Sequence, residues 1–226
     1  SANKGVTDSY ADFTGLSLAG SNVTAQIDND VALDQGTVSA LKVLEAMPGT
    51  GVDTSDNDIW VLGDLDLSSI TSITGVDFQD TKADNTITAA SANATYNFTK
   101  GGDDTFVGGS KAHTLFVSNN GSLNADLGSK ANALYIGWTD AATTKSTSDK
   151  SVAVTATFGA PDGSSPAIAN ISDKSTGDHN LTFASFTKTT EKLDVTHDGD
   201  GDLTLTIGNA IVSTDNDAVD IVHSGK

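Results

Sequence analysis

The sequence predicts a mainly β fold, a parallel β-solenoid carrying one short helix. Three observations carry that prediction: short alternating apolar runs bounded by Gly, Asn and Asp, a segment repeat of about ten residues, and an acid excess made almost wholly of aspartate. All but two of the 30 acidic residues are Asp, the exceptions being Glu45 and Glu191, against 12 lysines and no arginine. Asp, Asn, Ser, Thr and Gly favour turns, because short polar side chains bond nearby backbone and tolerate left-handed conformations. A hydrophobic fraction of 37% in 226 residues suffices for a thin core, of the kind that stacked short inward rows provide. A β-sandwich with tight hairpins is the alternative, since its turns also recur every 8 to 12 residues or so.

The first strands are short and half-buried: Phe13, then Leu16 with Leu18, Val23 with Ala25 and Ile27, and Val31 with Leu33. A helix is expected near 37–47, with Thr37 as N-cap, Val38, Leu41, Leu44 and Met47 on one face, and Pro48-Gly49 as its stop. Its expected role is to cover an end of the β core. Ile59-Trp60-Val61-Leu62 is a continuous apolar block of the kind found in strands buried on both faces, which assigns Trp60 to the core. Leu65, Leu67, Ile70, Ile73, Val76 and Phe78 follow as one rung with corners at Gly63-Asp64, Ser68-Ser69 and Thr74-Gly75. Six segments then repeat, at 84–88, 93–98, 103–107, 113–117, 124–127 and 133–136. A solenoid needs such a period, because each coil buries its apolar row only by stacking on the next. Residues 139–151, rich in Thr, Ser, Lys, Ala and Asp without apolar period, read as a polar loop or linker. They divide a β domain at 1–138 from a continuing β segment at 152–226.

A net charge of -18 and a pI near 4.1 repel phosphate backbones and anionic headgroups. Without arginine there is no guanidinium fork for bidentate recognition, so no nucleic-acid partner is expected. The absence of cysteine removes disulfides, thiolate zinc sites and cysteine nucleophiles. Residues 1–10 lack the apolar stretch of a secretory leader, and no segment approaches the roughly 20 apolar residues of a transmembrane helix. The chain therefore reads as a mature form or an excised fragment, without direct membrane insertion. His113, His179, His197 and His223 are scattered, and neither H-E-x-x-H nor G-x-S-x-G occurs. No catalytic residue is assigned and no enzymatic activity is expected. Trp138, just ahead of the polar run, is the candidate for an exposed platform on which a sugar ring could stack.

Divalent cations are what such an acidic surface attracts. Asp198, Asp200 and Asp202 alternate with Gly199 and Gly201, like the opening of an EF-hand loop. Leu203 stands where that loop needs glycine and Asn209 where it needs a bidentate glutamate, so the expectation is a calcium site at a strand corner and not an EF-hand. Gly101-Gly102-Asp103-Asp104-Thr105-Phe106-Val107-Gly108-Gly109 resembles the nonapeptide of calcium-binding RTX proteins, although one glycine of that pattern and a tandem copy are missing. The resemblance implies that the glycines turn a corner, Asp103 and Asp104 bind calcium, and the apolar residue points inward. With the arginine- and cysteine-free composition, the chain resembles bacterial S-layer proteins and related type I-secreted surface proteins. That resemblance implies calcium as cofactor, an extracellular location on the bacterial cell surface, and a structural, self-assembling role as a homo-oligomer or surface lattice. An adhesin module recognising cell-surface polysaccharide is the alternative, with a carbohydrate-active enzyme as a third reading.

Overall fold

A computed structural model describes residues 10–20, 22–47, 57–118, 121–128, 130, 132–138, 152–158, 168–173, 175–183, 192–207 and 219–223. Its N-terminal elements are Ala11–Asp12 (β1), Val23–Ile27 (β2), Val31–Leu33 (β3), a one-turn helix Gln35–Val38 (α1), Leu41–Ala46 (β4), Asp58–Val61 (β5), Leu65–Asp66 (β6) and Ser72–Thr74 (β7). Then come Asp77–Gln79 (β8), Thr86–Thr88 (β9), Ala94–Phe98 (β10), Gly102–Val107 (β11), His113–Val117 (β12), Gly121–Asp126 (β13) and Asn132–Ile136 (β14). Val152–Phe158 (β15), Ile168–Asp173 (β16), His179–Phe183 (β17), Lys192–His197 (β18), Leu203–Ile207 (β19) and Val219–His223 (β20) complete the series. The polar stretch 139–151 lies outside the described residues.

Every ladder between the described strands is parallel. Sheet I has ten strands in the order β1-β3-β5-β8-β10-β12-β14-β16-β18-β20, sheet II seven in the order β19-β17-β15-β13-β11-β9-β6, and sheet III three in the order β2-β4-β7. Hairpins would pair neighbours in sequence antiparallel, so tight hairpins do not build these sheets. From β8 onward the chain instead alternates between sheets I and II, one strand in each per coil. Ala94 faces His113 and Gly102 faces Gly121, each 19 residues on. The ten-residue spacing in the sequence is thus half a coil, and all six predicted segments are strands. Earlier, β5, β6 and β7 lie in sheets I, II and III, which makes a three-sided coil with corners where the sequence puts them.

The inward rows meet between the sheets. Ile59, Phe78, Tyr96, Leu115 and Leu134 stack in register on sheet I, and Leu65, Ile87, Phe106, Ala125, Ala156 and Leu181 on sheet II, all buried. Tyr96 is central, with its ring 5.1 Å from Phe78 and 4.8 Å from Phe106, and its hydroxyl accepts the Ala90 N–H at 2.9 Å. Trp60 is buried as expected, yet on the other face of sheet I. It stacks with Tyr10 at 6.1 Å, lies under the Lys100 ammonium at 5.0 Å and donates to Asp30 Oδ2 at 3.4 Å.

The helix expected near 37–47 is confined to Gln35–Val38, and Leu41–Ala46 is strand. The register explains the misreading. Val23 pairs with Leu41 but Thr24 with Val43, so Lys42 is bulged out and the alternation resets. Leu41 and Leu44 then both face the core at a three-residue interval that imitates a helix. The true N-cap is Asp34, which accepts Thr37 N at 2.9 Å and Gly15 N at 2.7 Å. Those bonds hold its carboxyl below the usual range, the Thr37 N–H first. The short helix lies over β6, the edge of sheet II, where Gln35 Nε2 donates to Asp66 O at 3.4 Å and Gln35 Oε1 accepts from Asp66 N at 2.5 Å. A side-chain amide thereby stands in for the next strand's peptide and covers an open edge. Asp34→Ala is expected to cost about 1–2 kcal/mol in urea unfolding; a loss near zero would mean that the cap does not hold this end.

Candidate functional site

Acidic side chains gather at the corners, where the parallel ladder breaks and backbone N–H groups lose their carbonyl partners. A short carboxylate one coil earlier takes over. Asp64 accepts Thr86 N at 2.7 Å, Asp84 accepts Asp103 N at 3.0 Å, Asp30 accepts Asp58 N at 3.0 Å and Asp178 accepts Asp202 N at 3.1 Å. This coil-to-coil capping is a use of aspartate that sequence reasoning missed. Its signal is Asp recurring at the coil interval, as in Asp84 with Asp103 or Asp178 with Asp202.

The corner before β11 is the densest. Gly102 has φ of 113°, and a β-carbon there would come 2.8 Å from Ala83 O. Gly121, stacked on it one coil later with φ of 150°, would drive a β-carbon into Gly102 O. Only glycine lets successive coils approach so closely. Phe106 points inward and is fully buried, as the nonapeptide resemblance implies. The nonapeptide is nevertheless no single turn, because β11 occupies six of its residues.

Strand alternation separates the two aspartates that the sequence pairs as ligands. Asp103 faces out, exposed, and accepts from Ser122 Oγ at 2.8 Å, whereas Asp104 faces in at 4% exposure. Neighbours on opposite faces of one strand cannot hold the same ion. Asp104 joins different company. Its Oδ1 accepts Asn85 N at 2.9 Å, and burial pushes its carboxyl up to about 7, with the charges of Asp84 and Asp103 adding to the rise. Asp80, at 1% exposure, accepts Thr99 N at 3.0 Å, Lys100 N at 3.1 Å and Gln79 Nε2 at 2.9 Å. Burial nonetheless pushes it up to about 8, and the charge of Asp104 acts in the same direction. A cavity of about 10 Å³, room for one water, is lined by Asp104 together with Gly101, Gly102, Ser118, Gly121 and Ser122.

Asp198, Asp200 and Asp202 are all exposed. Their carboxylates all face outward, while Gly201 sits against Gly177 O and Asp200 N donates to Ser175 O at 3.1 Å. The glycines serve stacking on the preceding coil, so the structure does not converge these three carboxylates. Among the described residues no three His, Cys, Asp or Glu side chains lie close enough to share an ion.

The histidines serve packing. His113 is buried 5.6 Å from the Tyr96 ring and 5.8 Å from Phe106, and burial pulls it down to about 4. His197 and His223, one coil apart, stack at 4.9 Å. Trp138 is buried, at 8% exposure, with Tyr135 against it edge to face at 5.9 Å, so it offers no sugar platform. No helix among the described residues is long and apolar enough to cross a membrane.

Strands, corners and charge together define a mainly β protein of stacked parallel sheets with acid-capped corners. Compared with protein-family models, curated proteins and solved structures, the chain matches none.

Proposed function

We propose that this chain is a parallel β-solenoid segment of a bacterial cell-surface coat of the S-layer kind, stabilised by calcium outside the cell and assembling with copies of itself. The supporting observation is the outer face of sheet II. Thr86, Thr105, Asn124, Thr155, Asn180 and Thr204 fall in one register column, exposed or half-buried. Neighbouring strands stand about 4.8 Å apart, so the column presents short hydroxyls and amides at a fixed interval on a pleated surface. A repetitive, uncharged column suits side-by-side contact between like copies, because one contact solution repeats at every coil. Calcium favours the folded chain by mass action, which keeps the chain loose where the ion is scarce.

Light scattering on chelator-stripped protein titrated with calcium tests the reading. Particle size should grow with protein concentration in calcium, and the double variant Thr155→Lys with Asn180→Lys, which puts positive charge on that column, should stay small with an unchanged melt. A monomer at every calcium and protein concentration would rule assembly out. The glycan-binding alternative would use this same face and not Trp138; polysaccharide binding by a persistent monomer would favour it.

A further inference from the structure

The two ends of sheet II are finished differently. At one end β6 is only two residues long, and the backbone of its last residue is engaged: Asp66 O accepts from Gln35 Nε2 and Asp66 N donates to Gln35 Oε1. Short strands and covered edges are how sheets avoid pairing with other chains. At the other end β19 is five residues long and reads Leu203-Thr204-Leu205-Thr206-Ile207. It holds no Lys, no Pro, no Gly and no charged side chain, so none of the usual edge guards is written into it. Its threonines and isoleucine favour strand, and an uncharged strand of that kind invites a further one beside it.

The core rows show the same asymmetry. Ala156 and Leu181 are each 1% exposed, yet Leu205, next in register, is only half-buried. In the neighbouring row Val154 and His179 are each 1% exposed, and Leu203, next in register, is again half-buried. Rows that the earlier coils seal are thus left part open at β19 among the described residues. Each leucine there keeps apolar surface that one more strand would bury.

We infer that β19 is the docking edge for a second copy of this chain, joined tail to tail across a two-fold axis. A copy stacked head to tail would have to offer its own β6, which Gln35 covers. What such a copy has left in sheet II is its own β19, and a two-fold axis turns that end of the copy antiparallel. An otherwise parallel sheet accepts an antiparallel strand at its edge. The contact continues the ladder and the inward rows that already join one coil to the next, is self-complementary, and closes at two copies. It rests on the self-assembly proposed above and supplies the unit from which side-by-side contacts through the outer face of sheet II build.

The test is small-angle X-ray scattering with light scattering on the full chain, using Thr155→Lys with Asn180→Lys to remove side-by-side contacts. That face variant should be a dimer with the cross-section of a single copy and roughly double its length. Adding Leu205→Lys, or Leu203→Lys in its place, sets a charge at an inward position of the edge and should leave monomers with unchanged circular dichroism. Both leucines are already part exposed, and if one variant fails to fold the other carries the comparison. If the face variant is monomeric while wild type assembles, this contact falls and the side-by-side reading stands. A dimer that is broadened and not lengthened, or one that survives both leucine variants, overturns the contact as well. Wild type that stays monomeric at every concentration removes both readings together.

Discussion

Tyr96→Ala is expected to cost about 4–6 kcal/mol, enough to unfold much of the chain at ambient temperature. Removing a large aromatic from a packed core costs about 3–5 kcal/mol through lost burial and the cavity left behind. Tyr96 touches both inward rows, through Phe78 on sheet I and Phe106 on sheet II, so neither sheet can close the gap alone. Its hydroxyl also accepts the Ala90 N–H, and losing that partner strands a buried donor at about 1 kcal/mol or more. Against a typical total of 5–15 kcal/mol this is a large share. Tyr96→Phe separates the terms and should cost only about 1–2 kcal/mol. Urea unfolding with both variants decides the matter: a loss below about 2 kcal/mol for Tyr96→Ala would show that the two sheets do not depend on one another through this ring.

The repeat was legible because turn chemistry and apolar alternation agree over 84–136, where each predicted segment became a strand. The corners at Gly63, Ser68 and Gly75 were legible for the same reason, glycine at φ of 154° and 68° being what such corners demand. Two features were not. The bulge at Lys42 turned strand β4 into a pattern with helical spacing, and only the partner strand reveals which residue is extruded. The aspartates formed visible clusters along the chain, but clustering in sequence is not convergence in space. In an extended segment adjacent carboxylates diverge, as Asp103 and Asp104 do, while Asp80 and Asp104, 24 positions apart, share a corner because one coil intervenes. Their partner Asn85 carried no signal at all, since an amide in a turn-rich sequence is unremarkable until its oxygen is found buried without a donor.

The melting temperature should fall as pH rises from about 6.5 to 8, because the fold buries two carboxyls. In the calcium-free protein Asp80 and Asp104 have folded-state values near 8 and 7, raised by burial above those of the unfolded chain. A raised acid binds its proton in the folded state while the unfolded chain has lost it, so its stability is fully present below about pH 4 and drains away as pH climbs to the folded value. Each carboxyl contributes a slope of about 1.4 kcal/mol per pH unit inside that window. His113 works the other way: held near 4 by burial, it supports the fold above about pH 6.5 and withdraws that support as pH falls to about 4. The two trends oppose each other below about pH 6.5. Above it the His113 contribution is complete, so the two raised carboxyls should make the melting temperature drop between about pH 6.5 and 8. Asp104→Leu removes one of the two raised carboxyls and should shrink that slope. A melt that rises with pH would mean that the N–H groups of Thr99, Lys100 and Asn85 already hold both carboxyls ionised.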